Sequence, residues 1–142
     1  MPDSAKTIGV GVVTHGTFGT ELIQAAETVL GKQERCFSVC VDVAKEVDAT
    51  VDIIRAKSKE VDAGAGVLIL TDLFGGSPTT LSLSLLKEGE IEVVAGVNLP
   101  MIVKALQSRD MKLSDLAAAV RDAGIQGIVV AGELLRKRSA RK

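Results

Sequence analysis

The chain holds one histidine, His15, in Val12-Val13-Thr14-His15-Gly16-Thr17, where an apolar run gives way to a turn of small residues. Histidine is the side chain whose ordinary pKa lies nearest neutrality, and its two ring nitrogens take different jobs when a neighbour fixes the tautomer. A second apolar run, Val67 to Thr71, ends in Asp72 and passes into Leu73-Phe74-Gly75-Gly76-Ser77-Pro78. If the Asp72 carboxylate accepts a hydrogen bond from Nδ1–H, Nε2 keeps an outward lone pair and is a nucleophile. The acid then stabilises the positive ring formed on attack. Gly75 and Gly76 permit close backbone approach, Ser77 is a preferred N-cap and Pro78 suits the first helical position. Free amides and the positive end of a helix dipole are therefore expected at that turn, with the Ser77 hydroxyl as a further donor. Such a set suits phosphoryl transfer, in which positioning and charge neutralisation dominate, and neither a metal nor another cofactor is expected. Taken alone, Gly75-Gly76-Ser77-Pro78 reads as no more than a tight strand-to-helix turn, with His15 a turn residue and Asp72 a strand-end cap.

His15 and Asp72 are far apart in sequence and meet only if their two strands are neighbours. The patterning supports that. Apolar β-branched runs alternate with helical periods, which builds a parallel sheet covered by helices on both faces, and ligands gather beyond the carboxyl ends of such strands. Strands are expected at Thr7 to Thr14, Cys36 to Val43, Val67 to Asp72, Ile91 to Ala95 and Gly127 to Ala131. Helices are expected at Phe18 to Leu30, Val47 to Val61, Pro78 to Lys87 and Pro100 to Ser108, and from a Ser114 cap through Ala123. The fold class is thus α/β, a doubly wound, mostly parallel sheet. Residues 1–135 read as one domain, and 136–142 as a basic tail with five positive charges.

The 142 residues suffice for one buried core, and with three Phe and no Trp or Tyr that core is aliphatic. So few aromatic rings, and a formal net charge of -1, argue against a nucleic-acid or direct carbohydrate binder. No apolar run approaches the roughly 18 residues of a membrane span and the N-terminus lacks a secretory pattern, so a cytoplasmic protein without membrane insertion is expected. Cys36 and Cys40 share a strand face, cannot bridge within one strand, and are expected to be small core hydrophobes.

These residues resemble the enzyme IIA component of the mannose-family bacterial sugar phosphotransferase system over nearly the whole chain. Val13-Thr14-His15-Gly16 is similar to the family's phosphorylated-histidine motif. Thr71-Asp72-Leu73-Phe74-Gly75-Gly76-Ser77-Pro78 is similar to its second active-site loop, and Ala95-Gly96-Val97-Asn98-Leu99-Pro100-Met101 to a third segment. The resemblance implies a phosphocarrier that takes a phosphoryl group from the small protein HPr on His15 and passes it to a IIB protein or domain. Asp72 would orient His15, and Gly75, Gly76 and Ser77 would contact phosphate. Thr14, Gly16 and Asn98 would support the pair from behind or lie on the rim that a partner meets. Phe18 and Phe74 are expected as apolar rim anchors, with burial in the core as the alternative. The resemblance further implies a homodimer in which a C-terminal strand, about Ile128 to Ala131, crosses to the other subunit.

Two departures stand out. Many members carry Phe-Asn after the proline where this chain has Thr79-Thr80, which bears on the rim, and no IIB domain is expected after residue 142. A regulatory phosphoprotein of an incomplete phosphotransferase system is therefore a second reading, and a phosphodonor subunit for dihydroxyacetone kinase a third. A response-regulator receiver would need an acidic pair for Mg²⁺ where Thr14-His15 stand, and a hydrolase would need a base for water that the motifs do not supply.

Overall fold

A computed structural model describes residues 7–42 and 44–140. In chain order the elements are β1 (Gly9–His15), α1 (Phe18–Leu30), β2 (Cys36–Val41), α2 (Val47–Val61), β3 (Val67–Thr71), α3 (Ser77–Leu83), β4 (Ile91–Ala95), α4 (Leu99–Gln107), α5 (Leu113–Gln126) and α6 (Ala131–Ala140). The four strands form one sheet in the order β2-β1-β3-β4, and every pair is parallel. The chain leaves β1 toward β2 on one side and returns to β3 on the other. The reversal in strand order therefore falls between β1 and β3, the place where an open α/β sheet leaves a crevice at its carboxyl edge.

The strands alternate faces with period two, and both faces are apolar. Val10, Val12, Leu68 and Leu70 pack with Ala26 of α1, Met101 and Ile102 of α4, and Leu116 and Val120 of α5. Val13, Val67 and Ile69 pack on the opposite face with Ile54 of α2 and Leu81 of α3. Each Leu or Ile buried completely in these layers contributes roughly 1.5–3 kcal/mol. Gly11 is required by this packing, because a Cβ there would lie 2.2 Å from Cζ of the Phe37 ring. At the amino edge of the sheet Arg109 ties segments together. Its guanidinium donates to the carbonyls of Glu34 (2.6 Å) and Arg35 (2.8 Å), and its carbonyl accepts from the Ile8 amide (2.9 Å).

Several expected boundaries are corrected. β2 ends at Val41, and Val43 lies outside the described residues. α3 starts one residue earlier than expected, with Gly76 as N-cap and Ser77 already helical. It stops at Leu83 rather than Lys87, where Ser82 and Ser84 return their hydroxyls to the carbonyls of Pro78 and Leu81 and compete with helical continuation. Lys87 then bridges to Ile91 and turns the chain into β4. Ser114 does not cap α5, whose N-cap is Lys112. α5 also runs through Gly124 to Gln126, because that glycine serves helix packing: a Cβ on it would stand 2.6 Å from Met101 Cγ.

The segment expected as a last strand, Gly127 to Ala131, pairs with no strand among the described residues. Ile128, Val129 and Val130 are exposed, and the strong helix formers that follow make α6, which includes Arg136, Lys137 and Arg138 of the expected tail. The cysteines are not core residues. β2 is an edge strand, so Cys36 is half-buried and Cys40 is exposed. Among the described residues, no helix is long and apolar enough to cross a membrane.

Candidate active site

β1 and β3 run side by side with Val13 opposite Thr71, so the chain leaves both strands at one level and His15 emerges beside Asp72. The backbone amide of His15 donates to Asp72 Oδ2 at 2.9 Å, and Nδ1 of its ring lies 2.8 Å from the same oxygen. An ionised carboxylate only accepts, so Nδ1 carries the proton and Nε2 bears the free lone pair. The His15 side chain is 47% exposed, whereas Asp72 is 13% exposed beneath it. Burial pushes the Asp72 carboxyl up. Hydrogen bonds from the His15 amide and ring, together with the ring's electrostatic attraction, outweigh that effect and hold it below its ordinary 3.8. The acid is therefore ionised at neutral pH, and the geometry presents a tautomer-fixed imidazole to solvent.

The loop after Asp72 folds back over the ring. Gly75 takes φ +93, and Gly76 lies so close that a Cβ on it would stand 3.0 Å from His15 Cε1 and 3.6 Å from Nε2. The Gly76 amide is used within the loop, donating to the Leu73 carbonyl at 3.2 Å. The first-turn amide of Ser77 has no helical carbonyl ahead of it, Pro78 has no amide proton to offer, and Thr79 is buried.

The remaining residues singled out from the sequence fall into different places. Thr14 is buried, and its hydroxyl accepts from the Gly19 amide at 2.8 Å, tying the end of β1 to the first turn of α1, so it is not part of a rim. Gly16 forms the turn between them at φ +52. Phe18 and Phe74 are 46% and 76% exposed, outside the core and at the same edge as His15. Asn98 caps α4, accepting from the Met101 amide and donating to the Gly124 carbonyl, each at 3.1 Å, with no bond to His15 or Asp72.

Thr79 was read as part of the rim and is instead buried. It is joined by Thr71, expected only as the end of an apolar strand and the first residue of the second loop motif. The Thr79 hydroxyl donates to the Leu73 carbonyl at 2.6 Å and lies 2.6 Å from the Thr71 hydroxyl. The only signal for either was a threonine where an apolar neighbour would have packed equally well. Among the described residues, no group of three or more His, Cys, Asp or Glu side chains converges to hold a metal. A hollow of about 500 Å³ between the start of β4 and the start of α5 lies at the opposite edge of the sheet. A smaller one of about 300 Å³ borders Gly75 and Ser77 and is flanked by Lys45, and His15 lines neither. His15 thus stands on an open edge, a shape suited to meeting another protein.

Comparison with known proteins agrees with the fold. Residues 9–123 match the family model described as PTS system fructose IIA component. The PTS system mannose-specific EIIAB component of Escherichia coli (strain K12) is 32% identical over 125 residues, which are 86% of this chain and 39% of that protein. The chain therefore spans about two fifths of the length of that relative. The PTS system fructose-specific EIIA component of Bacillus subtilis (strain 168) is 26% identical over 132 residues, 92% of this chain and 90% of that one. Among solved structures, the phosphotransferase system component EIIA from Streptococcus agalactiae superimposes with a TM-score of 0.80 at 27% identity, covering 89% of this chain and 98% of the other.

Proposed function

Because this chain belongs to the PTS system fructose IIA component family, and is thereby a component of a sugar phosphotransferase system, we propose that it is a cytoplasmic phosphocarrier whose acceptor atom is Nε2 of His15. The observation that carries the reading is the pairing of Nδ1 with a half-buried, ionised Asp72, which leaves Nε2 free at the surface.

In this reading HPr docks on the open edge and offers its phosphoryl group to His15. The bond from phosphorus to the donor breaks as the bond to Nε2 forms, and the imidazolium that results is balanced by the Asp72 carboxylate. Gly75, Gly76 and Ser77 surround the incoming phosphoryl oxygens, with the Gly75 and Ser77 amides and the Ser77 hydroxyl as donors and the glycines giving room for close approach. Exposed Phe18 and Phe74 anchor the partner on a shallow surface from which it can leave quickly. A IIB protein takes the phosphoryl group from the same nitrogen. The chain acts as a homodimer in which the exposed apolar segment Ile128 to Val130 pairs with the uncovered edge of β4 in the other subunit, a reading supported by its lack of a partner strand among the described residues.

The test is incubation with labelled phosphoenolpyruvate, enzyme I and HPr. An acid-labile label on His15, absent from His15→Ala, is expected. An unlabelled wild type, or equal labelling of His15→Ala, rejects the reading.

A further inference from the structure

Asp72 works only if its carboxylate stays aimed at His15, yet little holds it there. Oδ2 is bonded to the His15 amide and ring, and Oδ1 is buried without a hydrogen-bond partner. Among the described residues no other side chain grips the acid, so its direction must be set by the backbone on either side, at Thr71 and Leu73.

Both of those residues are held by one hydroxyl. Thr79 has a single hydroxyl proton, and it goes to the Leu73 carbonyl. The 2.6 Å contact between the Thr71 and Thr79 hydroxyl oxygens therefore has Thr71 as its donor. The order is Thr71 O–H to Thr79 Oγ1, then Thr79 O–H to the Leu73 carbonyl, within a pocket where Thr71 is 0% and Thr79 1% exposed. The chain is anchored at both ends. The Thr71 carbonyl accepts from the Val97 amide at 2.9 Å, and Thr79 belongs to α3, which packs on the sheet through Leu81. The Gly76 amide also reaches the Leu73 carbonyl, but it lies within the loop and fastens the loop only to itself.

We infer that Thr79 is a positioning residue for phosphoryl transfer: its hydroxyl clamps the residues before and after Asp72 to α3 and so keeps the carboxylate on Nδ1 of His15. The inference rests on the phosphocarrier reading of the same site. The β-branched methyl of Thr79 adds to the effect by limiting χ1, so the hydroxyl keeps one direction.

Because His15 is the only histidine in the chain, its imidazole nitrogens can be followed by NMR in full-length protein without interference. Wild type and Thr79→Ser are expected to show the Nδ1–H tautomer. Thr79→Val, folded by its thermal transition, is expected to show a mixture of tautomers, with phosphorylation by HPr about tenfold slower. The donor KM is expected to stay unchanged, because the docking edge is untouched, and Thr79→Ser restores the rate. A folded Thr79→Val with the wild-type tautomer and rate overturns the proposal. If Thr79→Val does not fold, Thr71→Val is read in its place, since it cuts the clamp on the other side of Asp72. A partial mixture supports the clamp there, and a wild-type tautomer and rate overturn it. The tautomer needs no donor to be read. A wild-type chain that takes no phosphoryl group therefore fails the phosphocarrier reading, while a tautomer mixture in Thr79→Val still supports the clamp.

Discussion

Asp72→Asn is expected to slow phosphorylation of His15 by about two to three orders of magnitude while leaving the chain folded. The amide has the shape of the acid but lacks its charge, so the imidazolium formed on attack loses its counter-ion. Its hydrogen bonding is also compromised whichever way it sits. With its oxygen toward His15 it accepts from the amide and Nδ1, but its NH₂ group then occupies the buried position where Oδ1 has no partner. With the NH₂ toward His15, two donors face a donor and the ring is pushed to the other tautomer, which removes the lone pair from Nε2. Either outcome costs the fold only about 1–3 kcal/mol. Single-turnover phosphorylation from HPr, beside a denaturation curve, separates the two effects. Equal rates in the acid and the amide would show that Asp72 has no part in the chemistry.

Gly76→Ala is expected to act through space rather than charge. Gly76 has φ -86 and ψ 166, an ordinary conformation for any residue, so alanine there is unstrained and a change of no more than about 1 kcal/mol in stability, of either sign, is expected. The added methyl carbon would nevertheless stand 3.0 Å from His15 Cε1 and 3.6 Å from Nε2, on the edge of the ring where the phosphoryl group must arrive. The expected result is a folded protein that accepts phosphoryl groups about ten- to a hundredfold more slowly. A variant as fast as wild type would place the incoming phosphorus on another side of the ring.

Much of this arrangement was legible because it depends on period and topology. The continuous apolar runs around Val10 to Val13 and Val67 to Leu70 belong to strands buried on both faces, and parallel strands bring their carboxyl ends to one edge. An imidazole ending one such run and an acid ending another are then close as soon as the strands are neighbours. The misses arise where a residue's role depends on what lies across from it. Gly124 looked like a stop, but helix packing against Met101 explains it. Cys40 looked like core and is exposed because β2 has no outer neighbour. The segment Gly127 to Ala131 has the composition of a strand, but pairing requires a partner, and the described residues supply none. Thr79 was hidden because its bonds to Thr71 and Leu73 exist only once the loop between β3 and α3 has turned through Gly75.

The most direct measurement is the position of phosphorus on the ring of the phosphorylated full-length chain, read from phosphorus–nitrogen coupling and the imidazole nitrogen shifts. With Nδ1 engaged by Asp72, phosphorus is expected on Nε2 while Nδ1 keeps its proton. Phosphorus on Nδ1, or on any residue other than His15, would contradict the central claim that this acid aims this nitrogen.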